Sequence, residues 1–140
     1  MKKIVERIAT RAIIKQDGKI LILQRGDKDE YLSGLWEVPG GKRKLSEKTI
    51  DGCKREVKEE TGLKVKVGDP IGIFEYKVEK PLEIREVTQI NFLVKPIGKV
   101  EVKLSSEHKN FAWIKEDEID NYNITKETKE IIKKAFKFFP

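Results

Sequence analysis

Residues Gly41 to Leu63 read GKRKLSEKTIDGCKREVKEETGL, and their spacing decides how the chain folds. Ser46 is placed to cap a helix that runs to about Thr61, with Glu47 suited to the positive end of its first turn. Gly62 then terminates it. On such a helix Glu56, Glu59 and Glu60 stand at i, i+3 and i+4, so they project from one face. Ile50, Cys53 and Val57 form a neighbouring apolar face able to dock on a sheet. At about 100° per residue the two faces are centred roughly a quarter turn apart. The carboxylates therefore belong at the rim of the buried face, where a cleft can form.

Like charges gathered on one helix turn repel, and two remedies exist. One is a solvated face on which Lys54, Arg55 and Lys58 pair with the glutamates. The other is a bound cation. The only histidine, His108, reads as a solvated loop residue, and the only cysteine, Cys53, sits on the apolar face. A cation site here would be built of oxygen, which selects Mg²⁺ or Mn²⁺ over Zn²⁺. Cations so held neutralise phosphate charge and acidify an attacking water, which implies hydrolysis of a phosphate bond.

Working outward, residues from about Ile4 to Ile14 read as a strand with Ile8, Thr10, Ala12 and Ile14 on one face. Asp17-Gly18 signals a hairpin, and Ile20 to Arg25 is apolar enough for a central strand. Asp27 to Gly34 reads as a polar loop, Leu35 to Val38 as a short strand, and Pro39-Gly40-Gly41 as a turn. Beyond the helix, strands are expected over Lys64 to Val67, Ile71 to Val78, Glu83 to Val94 and Phe111 to Ile114. A second helix is expected over Thr125 to Phe138, where Ile131, Ile132, Ala135 and Phe136 make an apolar stripe. This order predicts an α+β domain with helices packed on a mixed sheet.

The 140 residues suit one domain spanning 1–140, long enough to bury a core without disulfides. A 38% apolar and 39% charged composition argues for a folded domain with a heavily charged surface rather than disorder. The net charge of +6 favours anionic partners, yet no block of like charge resembles a nucleic-acid-binding arm. Nucleic acid is therefore not an expected partner. A single cysteine excludes an internal disulfide, the N-terminus lacks a signal-peptide core, and no apolar run is long enough to span a bilayer. The expected location is the cytoplasm, with no membrane partner and with monomer and homodimer both open.

Gly41, Glu47, Arg55, Glu56, Val57, Glu59, Glu60, Gly62 and Leu63 match every specified position of the pattern G-x5-E-x7-R-E-U-x-E-E-x-G-U, in which U is bulky and apolar. The segment thus resembles the box of the Nudix hydrolase family. Gly34-Leu35-Trp36-Glu37-Val38-Pro39-Gly40-Gly41, the strand ILILQR ending at Arg25, and Glu107 through Trp113 resemble MutT-like members. The resemblance implies the Nudix fold, an α/β/α sandwich around a mixed sheet. It also implies that Glu56, Glu59 and Glu60, with the main chain of Gly41, hold the catalytic cations. Glu47 would support the site, and Arg55 would orient a carboxylate. The family's general base varies in position; here Glu56 and Glu107 are the candidates. Arg25 is a candidate phosphate contact, while Trp36 and Trp113 read as packing.

The implied activity is metal-dependent hydrolysis of a diphosphate linkage in a small nucleotide-like substrate. The favoured form is a MutT-like nucleoside triphosphate pyrophosphohydrolase that yields a nucleoside monophosphate and pyrophosphate. Alternatives are an ADP-ribose or dinucleoside polyphosphate pyrophosphatase, or a Nudix module that binds a nucleotide or RNA without cleaving it. The ADP-ribose proline and the dinucleoside-polyphosphate tyrosine are matched imperfectly by Pro70, Pro81 and Tyr76. Asn121 and Asn123 are both open as the purine-recognising asparagine.

Overall fold

The computed structural model describes residues 1–27 and 33–138. Most of the expected loop between Asp27 and Gly34 lies outside the described residues. The elements are β1 (Lys3–Gln16), β2 (Lys19–Arg25), β3 (Trp36–Glu37), β4 (Gly40–Lys42), α1 (Thr49–Thr61), β5 (Val65–Glu79), β6 (Glu83–Pro96), β7 (His108–Ile114), a 3-10 turn (Glu116–Asn121) and α2 (Lys126–Phe138). The sheet runs β3-β2-β1-β6-β5, with β4 added to β1 and β7 to β2. It is mixed: β1 is parallel to β6 from Lys3 to Ile14 and antiparallel to β2 and β4. The α+β expectation holds, with one helix on each face.

Adjacent residues of β1 serve opposite layers. Ala12 and Ile14 pack with Leu21, Leu23, Cys53, Val57 and Phe92 beneath α1. Ile13 packs with Ile20, Ile22, Ile131, Ile132 and Ala135 beneath α2. A sheet covered on both faces needs unbroken apolar runs rather than alternation, which is why TRAIIK and KILILQR read as they do. β2 is central as expected: β7 pairs along one edge, and β1 then β3 along the other.

Several expectations need correction. The strands placed at Lys64–Val67 and Ile71–Val78 form one long strand, β5, whose register on β6 shifts around Pro70. Pro70 cannot donate to the ladder, and an edge strand absorbs that as a bulge. Ser46 does not cap α1: it sits at φ 66° in the preceding turn, and Lys48 is the N-cap without a side-chain capping bond. Glu47 accordingly precedes the helix. Ile50 is 45% exposed, so the docking face of α1 is Cys53 and Val57, extended by the buried Thr61. β7 begins at His108, earlier than expected, and His108 is buried rather than solvated.

Candidate active site

Strand β4 and the last turn of α1 meet at the start and end of the box. β4 lies antiparallel on β1 with Gly40 opposite Arg11 and Gly41 opposite Thr10. Gly40 has φ 149°, and a Cβ there would come within 2.1 Å of the Thr10 carbonyl oxygen. At Gly41 a Cβ would stand 2.5 Å from the carboxylate of Glu56. Gly40 thus needs glycine for close approach to the backbone, while at Gly41 a side chain would displace the Glu56 carboxylate. The amide of Gly40 donates to Oε1 of Glu60 at 2.8 Å, which ties β4 to the last turn of α1; Gly40 and Gly41, expected in a turn, are the first two residues of that strand.

The three box carboxylates sit in different surroundings. Glu60 is 5% exposed, and burial pushes its carboxyl up to about 7 against the opposing pull of the Gly40 amide, His108 and Arg11. Glu56 lines the cleft and accepts from Arg55 Nη1 at 3.0 Å. Glu59 is more exposed and accepts from Arg55 Nη1 at 3.2 Å. Arg55 gathers the segment. Its Nε and Nη2 donate to Glu47 at 2.8 and 3.1 Å, and Nη2 also donates to the Lys42 carbonyl at 3.1 Å. The Arg55 bonds, then the Lys44 amide, hold the Glu47 carboxyl down to about 2. The i, i+4 pair with Glu59 is therefore only one arm of a wider anchor.

Glu56, Glu60 and Glu107 converge on one cleft of about 380 Å³, which Gly41, Arg25 and Arg11 also line. A carboxylate oxygen of Glu60, one of Glu107 and a ring nitrogen of His108 lie within 4.8 Å of one another. The carboxylates of Glu56 and Glu60, which line this cleft beside Gly41, supply oxygen donors that fit a hard divalent cation. Arg25 and Arg11, which line the same cleft, stand 3.1 and 3.6 Å from Oε1 of Glu37. An adjoining cleft of about 320 Å³ shares both arginines and is lined further by Trp36, Gln89, Thr125 and Thr128. A larger depression of about 550 Å³ beside Arg7, Lys44 and Glu86 contains none of the box glutamates.

Sequence reasoning missed Glu37, Arg11 and the burial of His108. Glu37 accepts from His108 Nε2 at 2.8 Å. Burial alone would push its carboxyl up, but His108, Arg11 and Arg25 together leave it lowered. The signal available was a charged residue inside an apolar strand, Arg11 within ATRAII and Glu37 within LWEVP. A buried charge is expensive unless paired, so each required a partner. Trp36 packs edge-on against Tyr122, with ring centroids 4.9 Å apart, and also lines the adjoining cleft. Asn123 gives its carbonyl to the Trp36 amide at 2.9 Å, while Thr125 and Thr128 supply the cleft wall from that region.

The NUDIX domain family matches residues 5–135. The chain belongs to the Nudix hydrolase family, on its MutT-like side. It is 35% identical over 107 residues to a "MutT-like protein" of Streptomyces ambofaciens, covering 76% of this chain and 62% of that one. It is 38% identical over 76 residues to a "CTP pyrophosphohydrolase" of Escherichia coli K12, covering 54% of each. The chain thus spans little more than half the length of these curated relatives. The crystal structure of a MutT protein from Methanosarcina mazei Go1 superposes with a TM-score of 0.75 at 28% identity, covering 99% of this chain and 96% of that one. Among the described residues no helix is long and apolar enough to cross a membrane.

Proposed function

We propose that this protein is a metal-dependent pyrophosphohydrolase that converts a nucleoside triphosphate to a nucleoside monophosphate and pyrophosphate. The observation that carries this reading is the convergence of Glu56, Glu60 and Glu107 on one cleft that Arg25 and Arg11 also line. Glu56, Glu59, Glu60 and the main chain of Gly41 are the residues that would hold Mg²⁺ or Mn²⁺. The cation would supply charge neutralisation and a more acidic water. Arg25 and Arg11 offer planar donor forks suited to phosphate oxygens. The adjoining cleft gives the nucleoside a place beside Trp36, Thr125 and Thr128. Glu56 and Glu107 both border the reaction space, so either can serve as the general base. Cys53 is buried, with its thiol pushed up to about 11 by burial, so it plays no nucleophilic part. A lone reduced cysteine suits the cytoplasm.

The test is Mg²⁺-dependent turnover across CTP and the other nucleoside triphosphates, oxidised nucleotides, ADP-ribose and diadenosine tetraphosphate. Glu59→Gln and Glu60→Gln should each lower kcat by about 10² or more while the fold is retained, because each removes charge that acts in the transition state. Wild-type rates in both variants would reject the assignment. Preference for ADP-ribose would retain the chemistry and move the substrate class.

A further inference from the structure

Glu107 stands on an irregular stretch between β6 and β7, and its side chain is exposed. Upstream the stretch is tied to the end of α1, where the Lys103 amide donates to the Thr61 carbonyl at 2.8 Å and the Ser105 amide to the Glu60 carbonyl at 3.4 Å, but at Glu107 itself the contacts are few. The Glu107 carbonyl accepts from the Gly26 amide at 3.0 Å, and the Glu107 amide reaches Ser105 Oγ only at 3.4 Å. The next residue is held far more firmly. The His108 side chain is 2% exposed, and its Nε2 donates to Oε2 of Glu37 at 2.8 Å. Nδ1 is buried and meets no hydrogen-bond partner among the described residues, so among them Glu37 is the ring's one hydrogen-bond partner, although a ring nitrogen also lies within 4.8 Å of carboxylate oxygens of Glu60 and Glu107. Oε1 of the same carboxylate faces Arg25 and Arg11. One buried carboxylate on β3 therefore ties the Glu107 segment on one side and both cleft arginines on the other.

We propose that His108, pinned by Glu37, is a positioning residue that holds Glu107 beside Glu60 in the reacting arrangement. This rests on reading Glu107 as an acid that serves the hydrolysis. Without the tether the main-chain bonds to Thr61, Glu60 and Gly26 remain, but the turn at Ser106 and Glu107 loses its buried side-chain anchor, and a displacement of about 1 Å at a reacting group can cost about 10² in rate. The tether also explains a polar pair buried between β3 and β7, where two apolar side chains would pack without needing partners.

The experiment uses the full chain with saturating Mg²⁺ and the nucleotide of highest kcat/KM in the panel above. His108→Phe keeps a ring and removes the donor. Its kcat should fall about 10- to 100-fold with KM changed less than about threefold. His108→Gln, whose amide nitrogen can reach Glu37, should recover most of that loss, and the shorter His108→Asn should not. In a Glu107→Gln background, His108→Phe should cost less than about threefold more, because the group it positions is already gone. A full additive loss in the double variant overturns the tether while leaving Glu107 in its role. Equal activity of His108→Gln and His108→Asn overturns it as well, and this comparison stands even if His108→Phe does not fold. Wild-type kcat in Glu107→Gln alone overturns the role of Glu107 and the tether with it.

Discussion

Glu60 meets two opposed demands, burial against the sheet and negative charge in the cleft. Burial raises its carboxyl from 4.5 to about 7. Below pH 4.5 the folded and unfolded chains both keep this proton, and the group costs nothing. Between 4.5 and 7 the unfolded chain releases the proton while the folded chain retains it, so stability falls as pH rises. Above that window the full cost applies, about 3 kcal/mol at 1.36 kcal/mol per unit. A cation on Glu60 must displace the same proton. Calorimetric titration of the metal-free protein with Mg²⁺, in buffers of different ionisation heat, should show nearly one proton released at about pH 6 and almost none at about pH 8.5. Glu60→Gln should abolish the difference. A proton count independent of pH would remove Glu60 from the cation site. Glu37 behaves in the opposite sense: its lowered carboxyl adds stability above the ordinary carboxylate range, which is lost as acid protonates it.

At the scale of elements, the site is a helix pressed against β4, the short strand that carries both glycines. Gly41→Ala would place a methyl carbon 2.5 Å from the Glu56 carboxylate, a distance at which something must move. The carboxylate is the movable partner, so the fold should survive with a melting temperature within a few degrees of wild type. Mg²⁺ affinity and kcat should each fall at least tenfold. Gly40→Ala meets the Thr10 carbonyl and an adverse φ at once, neither of which can yield, so its cost should be about 3 kcal/mol or more by thermal unfolding. If Gly41→Ala kept full Mg²⁺ affinity, Glu56 would have no part in holding the cation. The box half of this arrangement was legible because helical periodicity places side chains three and four residues apart on one face. The start of α1 was not. Capping preference marks Ser46, but the bonds from Arg55 and the Lys44 amide draw Glu47 back toward the turn, and the helix begins only after Lys48. A local propensity of about 1 kcal/mol is easily overridden by such tertiary contacts.

At the scale of the molecule, the two helices divide the labour of one sheet, and this division can be separated by experiment. The apolar run of β2 marks a central strand, but the alternation read in β1 marks only the face of Ala12 and Ile14, and Ile13 turns to the opposite layer. Which strand would carry a charge into that interior, and which partner would meet it, depended on contacts such as Glu37 with His108, 71 residues apart, that no local pattern encodes. Val57, fully buried on α1, belongs to the layer that carries the box glutamates, while Ile132, equally buried on α2, belongs to the opposite layer. Val57→Ala should cost about 2 kcal/mol and Ile132→Ala about 2–5 kcal/mol, the range for deleting buried methyl groups and leaving a cavity. Stability alone would thus rank Ile132→Ala as the harsher change. Metal binding should rank them in reverse, because loosening α1 shifts Glu56 and Glu60 relative to Gly40 and Gly41, whereas loosening α2 leaves that register intact. Mg²⁺ affinity measured by calorimetry, beside urea unfolding of the same variants, separates the two quantities. Val57→Ala should weaken Mg²⁺ binding severalfold and Ile132→Ala by less than twofold. Equal losses in both would mean that the carboxylate cleft is held by the stability of the whole fold rather than by the seating of α1.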